Sequence, residues 1–256
     1  MSEPLKVFIT GASSGIGRAL AAEYARRGAI LGLVARRADA LAEFRQSHPG
    51  CSISIYPADV RDADALAHAA RQFVDAYGLP DVVIANAGVS RGVLTGEGDL
   101  DTFRNVMDTN YFGMVATFEP FAGAMRDAGR GTLVGIASVA GVRGLPGSGA
   151  YSASKAAALA YLEALRVEMR PAGVRVVTIA PGYIRTPMTA HNPYPMPFLM
   201  DAARFAAKSA DAIARGRAFA VFPWQMGVGA ALLRLLPRWV YDRVFENAPR
   251  KPRAAR

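Results

Sequence analysis

Short apolar runs alternate with helical stretches along the chain, and this alternation constrains the fold more than any other feature. Parallel strands need crossover connections of a dozen or more residues, usually helices, whereas antiparallel neighbours can be joined by short hairpins. The pattern therefore predicts an α/β fold in which a doubly wound parallel sheet carries helices on both faces, giving three layers. The apolar runs span residues 6–10, 29–35, 51–57, 81–85, 132–137, 174–179 and 218–222.

A glycine-rich turn follows the first apolar run and leads into an alanine-rich helical stretch that ends at Arg27. Its glycines, Gly11, Gly15 and Gly17, permit a tight turn and let the backbone approach a phosphate. The spacing is G-x-x-x-G-x-G rather than G-x-G-x-x-G, and a plain strand–helix junction is the alternative interpretation. Because a strand precedes the turn and a helix follows it, we predict a Rossmann-type dinucleotide-binding domain.

The end of the second apolar run indicates which dinucleotide is bound. NAD-selective folds usually place an acidic residue there to hold the ribose 2′-hydroxyl, but this chain has Arg36 and Arg37. Two guanidinium groups suit a 2′-phosphate by charge and by their forked hydrogen-bonding geometry. Asp39 comes too late and is interpreted as a helix N-terminal residue. A solvated basic helix start is the alternative; we predict NADP, with NADPH preferred over NADH.

Tyr151 and Lys155 lie four residues apart in a helical stretch, so their side chains share one helix face. A free phenol has a pKa of roughly 10, and a fixed neighbouring cation lowers it. Moving that pKa toward neutrality takes about 4 kcal/mol of phenolate stabilisation, which the lysine and a cationic cofactor together can supply. A lone pair of this kind is more often an ordinary helix face, but the other motifs favour a catalytic pair.

Further polar residues and a glycine follow the predicted strands. Asp59 follows the third strand and would either accept a hydrogen bond from an adenine amino group or cap the next helix. Asn86, Ser138 and Gly182 follow later strands, and ligands of parallel sheets bind at such carboxyl ends. Asn110 lies within a predicted long helix, 99–128, where asparagine indicates a kink or a side chain with a specific function.

Bulk properties predict one domain, residues 1–256, with 52% hydrophobic residues and a net charge of +9. The single cysteine, Cys51, excludes an intrachain disulfide. No apolar targeting segment and no run of membrane-spanning length is found, so we predict a cytoplasmic protein. We predict no metal site and no nucleic-acid partner, and we interpret the basic segment 247–256 as a solvated, disordered tail.

Two segments depart from the strand–helix alternation. Residues 183–205 hold four prolines, three methionines and aromatic residues, which favours an apolar substrate lid over an ordinary surface loop. Residues 224–246 are apolar but interrupted by charges and Pro237, which predicts two short amphipathic helices. We favour docking of this C-terminal extension on its own domain over contact with another subunit or with a membrane surface.

Together these motifs resemble the single-domain branch of the short-chain dehydrogenase/reductase family. Each motif alone is weakly specific, whereas the complete set in this order is highly specific. The residues after 186 match no motif of the family. The matching elements are Thr10-Gly11-Ala12-Ser13-Ser14-Gly15-Ile16-Gly17, Asp59, Asn86-Ala87-Gly88, Asn110, Ser138, Tyr151-x-x-x-Lys155 and Pro181-Gly182-x-Ile184-x-Thr186.

The resemblance implies roles for four catalytic residues. Tyr151 would be the general acid in reduction and the general base in oxidation. Ser138 would hold and polarise the substrate oxygen. Lys155 would lower the pKa of the tyrosine and bind the nicotinamide ribose, and Asn110 would support a water chain that returns protons to the lysine.

The resemblance also implies the cofactor contacts. Ser14 departs from many NADP-binding members, which carry a basic residue at that position. Ile184 and Thr186 would face the nicotinamide amide. The implied cofactor-binding residues are Gly11, Ser13, Ser14, Gly15, Ile16, Arg36, Arg37, Asp59, Val60, Asn86, Ala87, Gly88, Tyr151, Lys155, Pro181, Gly182, Ile184 and Thr186.

The expected function is therefore an NADP(H)-dependent oxidoreductase that interconverts a carbonyl and a secondary alcohol on a small, hydrophobic substrate. The resemblance implies a homodimer or homotetramer formed through the two long helices. One alternative is a catalytically idle dinucleotide-binding sensor, against which the intact set of four catalytic residues argues. The other is a peripheral membrane reductase of lipid-like ketones, which the apolar and basic C-terminal end suggests.

Overall fold

The computed structural model describes residues 3–190 and 192–253 and contains a seven-stranded parallel sheet. The strand order is β3-β2-β1-β4-β5-β6-β9, so the chain first winds outward from β1 and then continues from β4 on the other side. The strands are β1 (Lys6–Thr10), β2 (Ile30–Ala35), β3 (Ile53–Pro57), β4 (Val82–Ala85), β5 (Thr132–Ile136), β6 (Arg175–Pro181) and β9 (Phe219–Phe222). The predicted α/β doubly wound fold is confirmed.

Burial on both faces explains why the strands are apolar runs. In β1, Val7 and Ile9 point into one hydrophobic core while Phe8 points into the other. The first core holds α1 (Gly15–Arg26), α2 (Ala38–Gln46) and α7 (Ala202–Ala214). The second lies under α3 (Ala63–Tyr77), α5 (Gly113–Asp127) and α6 (Gly149–Met169). The remaining helices are α4 (Leu100–Met107), α8 (Trp224–Leu235) and α9 (Arg238–Phe245).

The reversal of winding between β1 and β4 positions the site. Ile9 of β1 pairs with both Leu33 of β2 and Ile84 of β4, so β1 lies between its two neighbours. The connections from β1 and β4 leave toward opposite faces of the sheet, which opens a crevice at their carboxyl ends. The glycine turn after Thr10 and the loop after Ala85 both begin at this crevice.

The predicted long helix over residues 99–128 is divided in the structure. A π-helical turn, Asp108–Phe112, separates α4 from α5, and Asn110 lies at its centre with no exposed surface. The side chain of Asn110 binds the neighbouring loop, and a π-turn inside a helix is frequent where a side chain has such a function. The sequence indicated a kink or a side chain with a specific function at Asn110, and the structure places a π-turn there whose asparagine side chain binds the neighbouring loop.

The lid segment 183–205 is shorter in the structure than predicted. Two short strands, β7 (Ile184–Arg185) and β8 (Met200–Asp201), pair in parallel and bring the ends of the segment together. Residues 202–205 belong to α7, and Phe205 is completely buried in the core because its helix packs on α1. The irregular part therefore spans residues 186–199, in which His191 lies outside the described residues.

The C-terminal end departs from the predictions in the exposure of its helices and in the placement of its tail. Helices α8 and α9 form as expected, but most of their large apolar side chains face outward rather than the domain. Residues 247–253, predicted as a disordered tail, lie along the loop after β4, where Gly92 N–H donates to the Pro252 carbonyl. Ionic contacts of Arg253 explain this docking. Residues 254–256 lie outside the described part of the chain. Within that part, no helix is long and apolar enough to cross a bilayer.

Candidate functional site

A cavity of about 340 Å³ at the carboxyl edge of the sheet collects most of the predicted site residues. The loops after β1, β2, β3, β4, β5 and β6 all contribute to its walls, as expected where a doubly wound sheet reverses direction. The predicted residues that line it are Gly11, Ser13, Ser14, Gly15, Ile16, Arg36, Arg37, Asp59, Val60, Asn86, Ala87, Gly88, Ser138, Tyr151, Lys155, Pro181, Gly182 and Thr186.

In the glycine turn, backbone segments approach one another closely, Gly11 against Ala87 and Gly17 against Gly11. Gly11 has a φ of +69°, and a Cβ there would lie 2.7 Å from the Cα of Ala87. A Cβ at Gly17 would overlap the Gly11 carbonyl oxygen. Asn86 fixes the turn by donating from Nδ2 to the carbonyls of Thr10, at 3.0 Å, and Gly11, at 3.2 Å.

The start of α1 is open to an anionic ligand. Ser14 occupies the N-cap position with an extended backbone, and its side chain makes no capping hydrogen bond. The first-turn N–H groups of α1 therefore have no side-chain acceptor and retain the partial positive charge of the helix end. Ser14, Gly15 and Ile16 line the cavity at this point. This cradle fits the pyrophosphate of a dinucleotide.

Arg36 and Arg37 lie where the adenosine end of such a ligand would extend from the glycine turn. Arg37 donates from Nη2 to the side chain of Ser13, at 3.2 Å, and to its carbonyl, at 3.3 Å. Arg36 lies 3.8 Å from Asp59 and is largely exposed. Both guanidinium groups line the cavity, and neither is neutralised by a close bidentate carboxylate.

Asp59 is engaged by a residue that the sequence did not single out. Arg61 donates from Nε and Nη2 to both carboxylate oxygens, at 2.6–3.1 Å, and its backbone N–H adds a third contact. These hydrogen bonds hold the pKa of Asp59 below its usual value. Asp59 therefore remains a charged wall of the cavity, and Arg61 fixes its orientation.

Ser138, Tyr151 and Lys155 come together at the inner end of the cavity. Ser138 follows β5, and its Oγ accepts a hydrogen bond from the backbone N–H of Ala140 at 3.1 Å. Tyr151 and Lys155 project from the first turns of α6 onto the same side, with the Lys155 ammonium 6.0 Å from the centre of the Tyr151 ring. The predicted common helix face is present and points into the crevice.

Burial governs the pKa values of Tyr151 and Lys155 in the protein alone. Burial raises the pKa of the Tyr151 hydroxyl and outweighs the hydrogen bond with Ser138, which lowers it. Burial also lowers the pKa of Lys155 to about 8. The residues of the protein therefore hold Tyr151 in its protonated form, because desolvation penalises the phenolate.

Lys155 retains donors for a ligand. Its ammonium donates to the Ile136 carbonyl at 2.7 Å, which uses one of three N–H bonds. A Cβ at Gly88 would lie 3.8 Å from the Lys155 ammonium and 3.3 Å from the Asn110 carbonyl oxygen. The absence of a side chain at Gly88 therefore leaves space beside both groups.

Asn110 positions the loop after β4. Its Oδ1 accepts from the Val89 N–H at 2.7 Å, and its Nδ2 donates to the Val89 carbonyl and to Ser154 Oγ, each at 2.9 Å. The side chain is completely buried and does not line the cavity. It joins the π-turn, α6 and the loop that carries Gly88. The water-chain role suggested by the resemblance stays a prediction.

One predicted contact is not found, and several lining residues were missed. The side chain of Ile184 is 2% exposed and packs in the core, because its strand turns it inward, so it does not face the cavity. Thr189, which the sequence reasoning missed, donates to the carbonyls of Ile184 and Thr186 and so holds the turn after β7 at the cavity wall. The other missed lining residues are Ala35, Ala58, Val89, Thr109, Ile136, Ala137, Pro187 and Met188.

The arrangement can bind a dinucleotide and move a proton. A phosphate cradle, two arginines and a buried lysine follow one another along one crevice. At the inner end of this crevice, a protonated phenol is hydrogen-bonded to a serine hydroxyl. These two groups can together hold and protonate an oxygen atom of a substrate. In parallel strand–helix domains this combination suits hydride transfer between a nicotinamide and a carbonyl carbon.

Comparison with known proteins agrees with this geometry. The family model for short chain dehydrogenase matches residues 6–195. An uncharacterized oxidoreductase of Myxococcus xanthus is 39% identical over 236 residues, covering 91% of this chain and 93% of the relative. A short-chain dehydrogenase structure from Burkholderia cenocepacia, in complex with NADP, superposes with a TM-score of 0.81 at 27% identity over 94% of this chain and 98% of that one.

A second solved structure extends the likeness of fold. The short-chain dehydrogenase/reductase from Burkholderia phymatum, in complex with NAD, has a TM-score of 0.83 at 24% identity and covers 99% of both chains. The two solved relatives thus contain different dinucleotides in the same fold. Family match, sequence identity and site geometry agree, and the chain belongs to the short-chain dehydrogenase/reductase family of oxidoreductases.

Proposed function

We propose that this protein interconverts a carbonyl and a secondary alcohol by hydride transfer with NADP(H), using Tyr151 as the general acid in reduction and the general base in oxidation. One observation carries the proposal: Ser138, Tyr151 and Lys155 line the same crevice as the glycine cradle. The residues that would hold a dinucleotide therefore lie next to those that would handle the substrate oxygen.

The cofactor would be held along the crevice by the residues already described. The first turn of α1 would face the pyrophosphate, and Asn86 and Ala87 would line the adenosine side. Lys155 would donate to ribose hydroxyls with the N–H bonds that Ile136 does not use. The bound nicotinamide supplies the hydride, and its oxidised form adds a positive charge beside the phenol.

The proton is handled by residues of the chain. Tyr151, held protonated by burial, would donate to the substrate oxygen during reduction, while Ser138 donates a second hydrogen bond to the same atom. A nearby ammonium stabilises the resulting phenolate, and Lys155 is that group. Asn110 would keep the loop after β4 in register with α6.

A preference for NADPH is supported by the two arginines. Arg36 and Arg37 are both exposed at the cavity wall and could both reach a 2′-phosphate, for which guanidinium groups are the favoured partners. Asp59 is held by Arg61 and does not take the place of the acidic residue of NAD-selective folds. Turnover with NADPH and NADH at equal concentration tests this choice, and faster turnover with NADH would contradict it.

Tyr151→Phe tests the mechanism. The substitution keeps the ring and its packing but removes the proton, so turnover of a panel of hydrophobic ketones should fall by about 10²–10⁴-fold while NADPH affinity is retained. Tyr161→Phe is the matched control, because Tyr161 lies on the same helix but packs on Phe118 and Tyr111, away from the crevice. Near-normal turnover in Tyr151→Phe would remove Tyr151 from the mechanism.

We also propose that two or four chains associate through α5 and α6. Val167 of α6 is 61% exposed, and Phe112, in the turn before α5, is 57% exposed. Burial of such side chains favours association. Sedimentation velocity measures the mass directly, and a Val167→Asp substitution should shift it toward that of one chain.

A further inference from the structure

The C-terminal helices α8 and α9 turn a row of large apolar side chains toward solvent. We call this surface the apolar face. Trp224 is 68% exposed, Leu235 79% and Trp239 74%, whereas apolar residues of this size are usually at least half covered. The apolar face consists of Trp224, Val228, Leu232, Leu235, Trp239 and Val244.

Helical spacing makes the apolar face continuous along α8. Trp224, Val228, Leu232 and Leu235 follow one another at intervals of three or four residues and so lie on one side of the helix. The opposite side docks on the domain, where Met226 packs against the backbone of Gly182, at which a Cβ would lie 2.5 Å from the Met226 Cγ. A helix that is apolar on both sides is normally covered on both sides.

Contacts with the rest of the domain hold the apolar face in place. Arg143, in the loop after β5, donates to the carbonyls of Leu233 and of Leu236, the latter at 2.8 Å. Its guanidinium also stacks on the ring of Tyr241, 3.9 Å from the ring centre. Both helices are therefore fixed to the domain, so the outward row is a preformed surface.

The charged residues along most of the apolar face are positive. Residues 224–241 contain two arginines, Arg234 and Arg238, and no acidic residue. The wider segment 224–253 contains six basic residues and two acidic ones, and the whole chain carries +9. A second copy of this chain would bring the same excess of positive charge, which opposes pairing through this surface.

The placement of the tryptophans also favours a lipid surface, rather than another protein, as the partner of the apolar face. The chain has two tryptophans, both lie on the apolar face, and Trp239 follows the exposed Arg238. Tryptophan and arginine next to leucine are typical of helices that lie in the interface of a bilayer, where the ring sits at headgroup depth and the cations meet lipid phosphates.

We propose that the apolar face docks the protein onto an anionic lipid surface, with the side chains of α8 and Trp239 inserted at the headgroup boundary. Helix α8 begins directly after β9, whose final residue Phe222 pairs with Pro181 at the wall of the crevice. The surface in contact with lipid therefore lies beside the active-site crevice. This proposal does not depend on the reaction catalysed there.

Vesicle binding followed by tryptophan emission tests the proposal, because all tryptophan emission comes from the apolar face. With vesicles of phosphatidylcholine containing about 30 mol% phosphatidylglycerol, we expect cosedimentation and a blue shift of emission at low salt. Leu232→Gln/Leu235→Gln should reduce the partition coefficient about tenfold or more. Arg234→Gln/Arg238→Gln should reduce it about severalfold and weaken its salt dependence.

Leu5→Gln/Leu100→Gln is the matched control, since both side chains are exposed but lie before β1 and on α4, outside the apolar face and outside the proposed association surface. Its vesicle binding should equal that of the native chain. Full-length protein that stays in the supernatant at low salt, with unchanged emission, would overturn the proposal. So would emission that is already blue-shifted without lipid and moves to the red when Leu232→Gln/Leu235→Gln dissociates an oligomer, because a second copy would then cover the face.

Discussion

At Lys155, burial disfavours the positive charge that the proposed binding of a dinucleotide uses. Its ammonium is enclosed at the inner end of the crevice with one backbone carbonyl as acceptor, and burial lowers its pKa to about 8. The unfolded chain would titrate this group near 10.5, so between these two values the unfolded state binds more protons. The charged lysine therefore destabilises the folded protein at neutral pH.

We expect the free energy of unfolding to rise as the pH increases from about 8 to 10. Over this range the folded chain has lost the Lys155 proton, whereas the unfolded chain still binds it. Above pH 10 it should fall again, since burial raises the pKa of Tyr161 to about 12 and that of Tyr151 as well. Lys155→Met should flatten the rise and add about 1–3 kcal/mol at pH 7. Urea titrations at several pH values measure this; an unchanged slope in Lys155→Met would show that another group is responsible.

Among the elements, α8 and α9 depend on a loop far away in the chain. Arg143 lies five residues after Ser138, in the loop that leads to α6, and it accounts for the docking of both helices. Tyr241 adds a hydrogen bond from its hydroxyl to the Gly144 carbonyl. The C-terminal helices are thus tied to the segment between Ser138 and Tyr151 rather than to the sheet alone.

Arg143→Ala should loosen α8 and α9 without unfolding the sheet. The substitution removes two hydrogen bonds to the end of α8 and the stacking on Tyr241, so protease cleavage within residues 224–246 should become about tenfold faster. Limited proteolysis with mass spectrometry gives the sites and rates. Arg243→Ala, at an exposed position of α9, should leave the rate nearly unchanged. Equal cleavage of Arg143→Ala and the native chain would contradict this role.

In the molecule as a whole, the last described residues contact the loop after β4, which lies near the middle of the sequence. Arg253 donates to both carboxylate oxygens of Asp99, at 2.9 and 3.1 Å, and to Glu97. Asp99 Oδ2 also accepts the N–H of Leu94, and Lys251 donates to Ser90 Oγ. The loop after β4, whose first residues line the crevice, is therefore held by the C-terminal segment.

Arg253→Met should loosen the loop after β4 while the sheet keeps its stability. The substitution removes the forked contact of Arg253 with Asp99, so the amides of Gly92 and Leu94 should exchange with solvent about tenfold faster. Hydrogen–deuterium exchange with peptide resolution measures this. Arg253→Lys should give an intermediate rate, because it keeps the charge but loses the fork. Unaltered exchange in Arg253→Met would mean that the tail does not hold the loop.

Local sequence determined the elements and the crevice. Apolar runs separated by helices fixed the parallel sheet, since each strand is buried on both faces, and residues at strand ends converge because parallel strands share their carboxyl edge. Asn86, Ser138 and Gly182 could be assigned to one edge for this reason, whereas Tyr151 and Lys155, on a helix, were joined to them by the family resemblance. The special position of Asn110 was also readable, because asparagine is unfavourable inside a helix.

Tertiary structure decided what depends on partners distant in sequence. Burial set the direction of the Tyr151 pKa in the protein alone, whereas the expectation from the sequence concerned Tyr151 together with Lys155 and a bound cationic cofactor. The inward turn of Ile184, the outward apolar face of α8 and the docking of Arg253 on Asp99 all follow from contacts that no local pattern encodes. The periodicity of the sequence predicts that a helix has an apolar side. Only the tertiary structure shows whether the rest of the domain covers that side.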